Sequence, residues 1–233
     1  MTTEGPCNLL RAKGCAGGDR KDAPEKREPT GQPRLVWYVC YGSNMCIDRF
    51  TCYLAGGAPS GARLAYPGCR DHRAPLRAIG YKLAGSVYFA TESATWEGGR
   101  AFYDPELPGS MAARAYLITA GQFADIVAQE MRRTPSEDLD LATVLAKRRV
   151  KLGPGRYETL LHVDDHDGYP LLTFTAPWRA ADVAWAPPSA AYLRVIMAGL
   201  RETYAWDNHR IAHYLARLPG ARGYWTPAAI AAL

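Results

Sequence analysis

The sequence predicts an α+β domain built on a curved antiparallel or mixed sheet. Strand-like segments crowd its middle, helical ones its last fifth, and a strand at Leu35–Cys40 runs straight into a glycine turn. Strands first and helices afterwards is the order expected of such a domain. With 233 residues, 48% of them hydrophobic, the chain can fill one large core or two small ones. Fourteen tyrosines and six tryptophans suit pleated strands and aromatic-lined grooves.

Taken in order, residues 1–33 hold Gly, Pro and charges with few clustered apolar side chains, too little to offset the entropy of ordering. They are expected to form a disordered tail ahead of a single domain over 34–233. The run Leu-Val-Trp-Tyr-Val-Cys reads as a fully buried strand. After the turn at Gly42, Ser43 and Asn44, a short helix is expected over 45–54, stopped by Gly56 and Gly57. Strands follow over 78–90, 99–103, 112–118, 157–163 and 169–175, separated by Gly, Pro or Asp. Between them, 121–131 has helical spacing, with Phe123, Ile126 and Val127 on one stripe. A second short helix is expected over 136–146, opened by Ser136. The C-terminal part, 189–233, reads as helical: 189–204 after a Pro-Pro pair, 208–218 capped by Asp207, and a final stub.

Several function classes find little support. The formal charge of +5 is modest, and neither basic cluster carries a nucleic-acid-binding motif, so no nucleic-acid partner is expected. The longest apolar runs are too short to span a bilayer, and the N-terminal region lacks a signal peptide's apolar stretch; a soluble, cytoplasmic protein is expected. Six cysteines without a CxxC pair read as free thiols. His209 and His213 lie four apart on an expected helix, but without the Glu of an HExxH site, so no metal and no zinc hydrolase or deacetylase is expected.

The strand running into Tyr41, Gly42, Ser43, Asn44 and Met45 and then a helix leaves backbone N–H groups without partners where an anion is favoured. Gly42 allows close backbone approach, and Ser43 or Asn44 can hold the turn. Five residues support two readings, a carboxylate cradle or an ordinary capped turn. Glu130 is the odd acid in the chain. It falls on the stripe of Phe123, Ile126 and Val127, where an apolar side chain belongs. A carboxylate facing a cleft there would be desolvated and its pKa raised, as a general acid–base needs. At a fraying helix end it could instead swing out to Arg132 or Arg133.

The run Val-Cys-Tyr-Gly-Ser-Asn-Met resembles the Tyr-Gly-Ser-Asn signature of the γ-glutamylcyclotransferase family. Trp96-Glu97-Gly98-Gly99 resembles the family's Trp-x-Gly-Gly, and Gln129-Glu130 the end of its acidic helix. Arg114 to Ile118 stands where the family has the strand before that helix. Pro187-Pro188-Ser189-Ala190-Ala191-Tyr192 is similar to its Pro-Pro-Ser-x-x-Tyr. The motifs occur in the family's order from about Val36 to Gly199. The resemblance implies a barrel-like mixed sheet with flanking helices. It also implies an enzyme in which the α-amine of a γ-glutamyl amide attacks its own γ-carbonyl, releasing 5-oxoproline and an amine. Glu130 would be catalytic, and Tyr41 to Met45 would grip the α-carboxylate. Tyr192 and Tyr157 would line the pocket, although each could equally be a packed tyrosine with its hydroxyl satisfied. The only partner implied is a small-molecule γ-glutamyl substrate, with no metal or organic cofactor. Two departures stand out: Met131 occupies the family's glycine position, and an insert over 131–155 separates Glu130 from Tyr157, as in bacterial members. Some of those remove a γ-glutamyl protecting group from an antibiotic intermediate. If the insert overhangs the cleft, it would select a larger amine. A non-catalytic γ-glutamyl or carboxylate-binding module on the same fold is the alternative.

Overall fold

The computed structural model describes residues 31–59 and 65–233. The tail expected over 1–33 thus falls outside the described residues except at its end. There the Gln32 side chain donates to Asp140 Oδ1 (3.0 Å) and accepts from the Leu141 N–H (3.1 Å).

Strand β1 (Leu35–Cys40) is buried from Val36 onward because it has a neighbour on each side. It pairs antiparallel with β5 (Ser110–Thr119) and parallel with β8 (Tyr169–Thr175). A continuous apolar run is what a central strand covered on both faces requires. The sheet extends from β5 to β2 (Arg77–Ala84), and from β8 through β7 (Thr159–His166) to β6 (Arg149–Lys151), in the order β2-β5-β1-β8-β7-β6. β2 is largely exposed, as an edge strand can be. The mixed sheet with flanking helices agrees with the α+β expectation. Barrel-like closure is not formed: the described strands leave an open sheet with edges at β2 and β6.

One expected strand is two. The segment 78–90 breaks at Gly85 (φ +99°), and β3 (Ser86–Ser93) leaves the sheet to pair only with β4 (Gly98–Asp104). This hairpin docks on the end of β8, where Thr175 Oγ1 donates to the Tyr103 carbonyl (2.7 Å) and accepts from its N–H (3.0 Å). The strand expected from Tyr157 starts instead at Thr159, which leaves Tyr157 in a loop.

Helix α1 (Ile47–Ala55) follows a separate 3-10 turn, Ser43–Met45, rather than beginning at Met45. Helix α2 (Ala120–Glu130) opens on a capping box. Thr119 Oγ1 accepts from the Gln122 N–H (3.0 Å), and Gln122 Oε1 accepts from the Thr119 N–H (3.1 Å). Ser136 opens no helix. Helix α3 (Leu141–Lys147) is capped by Asp140, the position from which the two apolar side chains Leu141 and Val144 reach the core. The insert is therefore mostly structural: the edge strand β6 extends the sheet, α3 buries Leu141 and Val144, and only Arg132, Arg133 and Thr134 of it line the cleft described below. The C-terminal helices fall where expected: α4 (Ala190–Tyr204) capped by Ser189, α5 (Asn208–Ala216) capped by Asp207, and α6 (Pro227–Ala231). No helix among the described residues is long and apolar enough to cross a membrane. Cys40, Cys46, Cys52 and Cys69 are free thiols.

Candidate active site

A cleft of about 670 Å³ opens between the end of β1, helix α1, the end of α2 and the β3–β4 hairpin. Tyr41, Gly42, Ser43 and Asn44 line it, as do Glu130, Tyr157 and Tyr192. Seven of the eight residues singled out in the sequence thus meet in one place.

Met45 is the exception. Its N–H closes the 3-10 turn onto the Gly42 carbonyl (3.1 Å), and its side chain is buried beneath, against α4 at Gly199. Its carbonyl accepts from Arg114 Nη1 (2.8 Å), and Arg114 is paired with Glu202 (2.7 Å). Glu202 also takes the Ile47 N–H at the start of α1 (2.9 Å). The helix N-terminus offered by the sequence as an anion site is therefore occupied by a protein carboxylate, and any cradle is the 3-10 turn itself. Gly42 is needed there because a Cβ would lie 2.9 Å from the Tyr192 hydroxyl. That hydroxyl accepts from the Ser43 N–H and, at 3.4 Å, from the Ala101 N–H.

Glu130 ends α2 with its carboxyl turned into the cleft. Asn44 Nδ2 donates to Oε1 (3.3 Å), and the Tyr53 hydroxyl hydrogen-bonds the same carboxylate. Burial pushes the Glu130 carboxyl above its ordinary range, opposed in turn by Tyr53, the positive charge of Arg49, Asn44 and the charge of Arg100. Glu130 does not pair with Arg132 or Arg133; Arg133 instead bonds the buried Glu158 carboxylate (2.6 Å). The remaining tyrosines combine both readings allowed by the sequence. Tyr41 donates to the Phe174 carbonyl (2.7 Å) and Tyr157 to the Ala101 carbonyl (3.0 Å), while both rings face the cleft.

Two distant motifs are one contact. Trp96 stacks on the Tyr192 ring with centroids 4.9 Å apart. The arrangement depends on Gly99, where a Cβ would come within 2.0 Å of the Ala186 carbonyl oxygen. The Gly99 N–H donates to the Pro187 carbonyl (2.7 Å), so the segment before α4 lies directly on β4. The Trp-x-Gly-Gly run and the Pro-Pro-Ser-x-x-Tyr run fit one another.

Several lining residues escaped the sequence reading, Arg49, Tyr53, Arg100 and Arg156 among them. Arg49 is 5% exposed, set 4.5 Å from the Tyr66 ring centroid, 5.3 Å from that of Tyr53 and 5.4 Å from that of Trp96. Tyr53 holds Glu130, and Arg100 lies across the cleft. A signal for Arg49 existed. It sits beside Phe50, Tyr53 and Leu54 on the buried stripe of α1, an ion among apolar positions just as Glu130 is on α2. Among the described residues, no group of three His, Cys, Asp or Glu side chains is placed to hold a metal ion.

No family model matches the chain. It is 29% identical over 185 residues to a protein of Arabidopsis thaliana named histone deacetylase 5, across 72% of this chain and 28% of that protein. The chain thus spans little more than a quarter of that relative's length. Among solved structures, an uncharacterized human protein is 16% identical with a TM-score of 0.48, covering 86% of this chain and 99% of its own. A γ-glutamyl cyclotransferase is 16% identical with a TM-score of 0.45, over 84% of this chain and 95% of its own. YkqA from Bacillus subtilis is 17% identical with a TM-score of 0.42, over 79% of this chain and 55% of its own. None of these likenesses assigns a role to a residue of this chain.

Proposed function

We propose that the chain is a γ-glutamylcyclotransferase-type enzyme acting on a small γ-glutamyl amide in the cytoplasm. The observation that carries this reading is a single desolvated carboxyl, Glu130, held by Asn44 and Tyr53 in a cleft whose floor is the Tyr41 to Asn44 turn. The ordered sequence motifs support it, because all of them border that cleft or brace it.

In the proposed reaction the substrate α-carboxylate lies on the 3-10 turn. Its α-ammonium gives a proton to Glu130, and the freed amine attacks the γ-carbonyl carbon. The new C–N bond closes the ring, and the amide C–N bond breaks. Glu130 returns its proton to the departing nitrogen, and the second proton shed by the attacking nitrogen as the ring closes follows through the same carboxylate, leaving 5-oxoproline and an ammonium ion. Because nucleophile and electrophile belong to one molecule, the protein's part is to fold the chain of the substrate and carry protons from the attacking to the departing nitrogen. A raised carboxyl pKa suits a group that must both take and give that proton near neutrality. The chemistry calls for no cofactor.

Incubation with a panel of γ-glutamyl amines should release 5-oxoproline. Glu130→Gln, with its folding verified by circular dichroism, should slow this by ~10²-fold or more, the usual scale of general acid–base catalysis. Full activity in that variant would remove Glu130 from the mechanism.

A further inference from the structure

The charge of the cleft is lopsided. Arg49, Arg100, Arg132, Arg133 and Arg156 line it, and Glu130 is the only Asp or Glu among the described lining residues. Of these arginines, Arg133 is matched by Glu158. Arg100 reaches a neutral partner, the Thr91 hydroxyl (3.1 Å). Burial, then the like charges of Arg156 and Arg132, weaken its hold on its proton. Arg132 takes the left-handed conformation (φ +58°) that commonly closes a helix, just past the cap of α2. Repelling cations gathered at a cleft mouth lower the stability of the free protein and are relieved by an anion.

Arg49 adds a built component. One nitrogen of its guanidinium, Nη2, bonds the Tyr66 hydroxyl, while Nε and Nη1 are buried without a hydrogen-bond partner. A buried charged donor with no acceptor is costly to leave unmatched. The cage of Tyr53, Tyr66 and Trp96 fixes its plane. Nε–H and Nη1 point to different edges of the guanidinium and neither reaches solvent, so Arg49 acts on the cleft through its buried positive charge.

Resting on the cyclotransferase reading, we propose that the cleft selects γ-glutamyl compounds whose released half is itself acidic. Arg100, Arg132 and Arg156 meet its carboxylates, and the buried charge of Arg49 adds to the pull. The γ-glutamyl end, with its single α-carboxylate, is left to the 3-10 turn. An amine carrying no acid would face a mouth of unmatched cations.

The test uses the Glu130→Gln protein, in which turnover should be slowed ~10²-fold or more, titrated calorimetrically. The ligands are γ-glutamyl-glutamate, γ-glutamyl-alanine and γ-glutamyl-ethylamide, whose amine halves bear two, one and no carboxylates. Affinity should fall about tenfold or more at each loss, the worth of a charged hydrogen bond, and the preference should shrink with added salt. Arg156→Gln, a change on an exposed side chain, should weaken γ-glutamyl-glutamate binding and leave γ-glutamyl-ethylamide unchanged. Arg132→Gln, likewise at an exposed side chain, should do the same. Equal affinity for the three ligands, or an equal effect of Arg156→Gln on all of them, overturns the proposal. The two readings fail separately. If the wild-type protein makes no 5-oxoproline while the affinity order holds, cyclisation is wrong and the acidic-ligand site stands. If 5-oxoproline forms with no such order, the reverse is true.

Discussion

The Glu130 carboxyl is held above its ordinary range by burial, and this has consequences for stability as well as catalysis. Between the ordinary carboxylate value and the raised one, the folded chain keeps a proton that the unfolded chain releases. The stability associated with this group is therefore full at low pH and lost as pH rises through that interval. Glu130→Gln should raise the midpoint of thermal unfolding at neutral pH, with the gain shrinking toward about pH 3, where both states are protonated. An equal gain at both pH values would show that the carboxyl is not desolvated. Gly42 is the second residue on which the site turns. Gly42→Ala would drive a methyl to 2.9 Å from the Tyr192 hydroxyl, displacing it from the Ser43 and Ala101 N–H groups. Thermal unfolding should show a loss of about 1–3 kcal/mol, as overpacking usually costs. Tyr192→Phe in the same chain should recover part of it by removing the oxygen; no recovery would place the strain elsewhere.

At the scale of elements, the site depends on β4 lying against the segment before α4. Gly99→Ala puts a Cβ on the Ala186 carbonyl and should pull Trp96 away from Tyr192. Near-ultraviolet circular dichroism should lose signal from that stacked pair, and stability should fall by ~1–3 kcal/mol or more. An unchanged spectrum would mean that the hairpin's other contacts, at Thr175, Tyr157 and Pro219, position it without Gly99. Much of this arrangement was legible in the sequence. The central strand β1 announced itself as an unbroken apolar run, and Ser189 and Asp207 marked helix starts through local capping chemistry. What was not legible depends on partners far along the chain. Ser136 and Asp140 are both competent caps, and only the burial of Leu141 and Val144 decides between them. The break at Gly85 separates two strands that share one apolar pattern. Glu202, distant in sequence, occupies the helix N-terminus that seemed open to a ligand. Arg49 was overlooked because an arginine near a helix start reads as a surface charge until its stripe is laid out.

For the whole molecule, the insert over 131–155 is a wall of the fold more than a cover for the cleft. Leu141→Ala, at a side chain 1% exposed, should cost ~2–5 kcal/mol in denaturant unfolding, the usual range for truncating a buried leucine. It should leave the order of preference among γ-glutamyl amines unchanged in the folded fraction. A changed order with little loss of stability would return the insert to the role of selector. The central claim is that one molecule supplies both nucleophile and electrophile and that water does not take part. The direct measurement is the reaction of a γ-glutamyl amide with this protein in oxygen-labelled water, with the products weighed by mass spectrometry. The account predicts unlabelled 5-oxoproline and free amine in equal amounts. Labelled glutamate in place of 5-oxoproline would make the protein a hydrolase and contradict it.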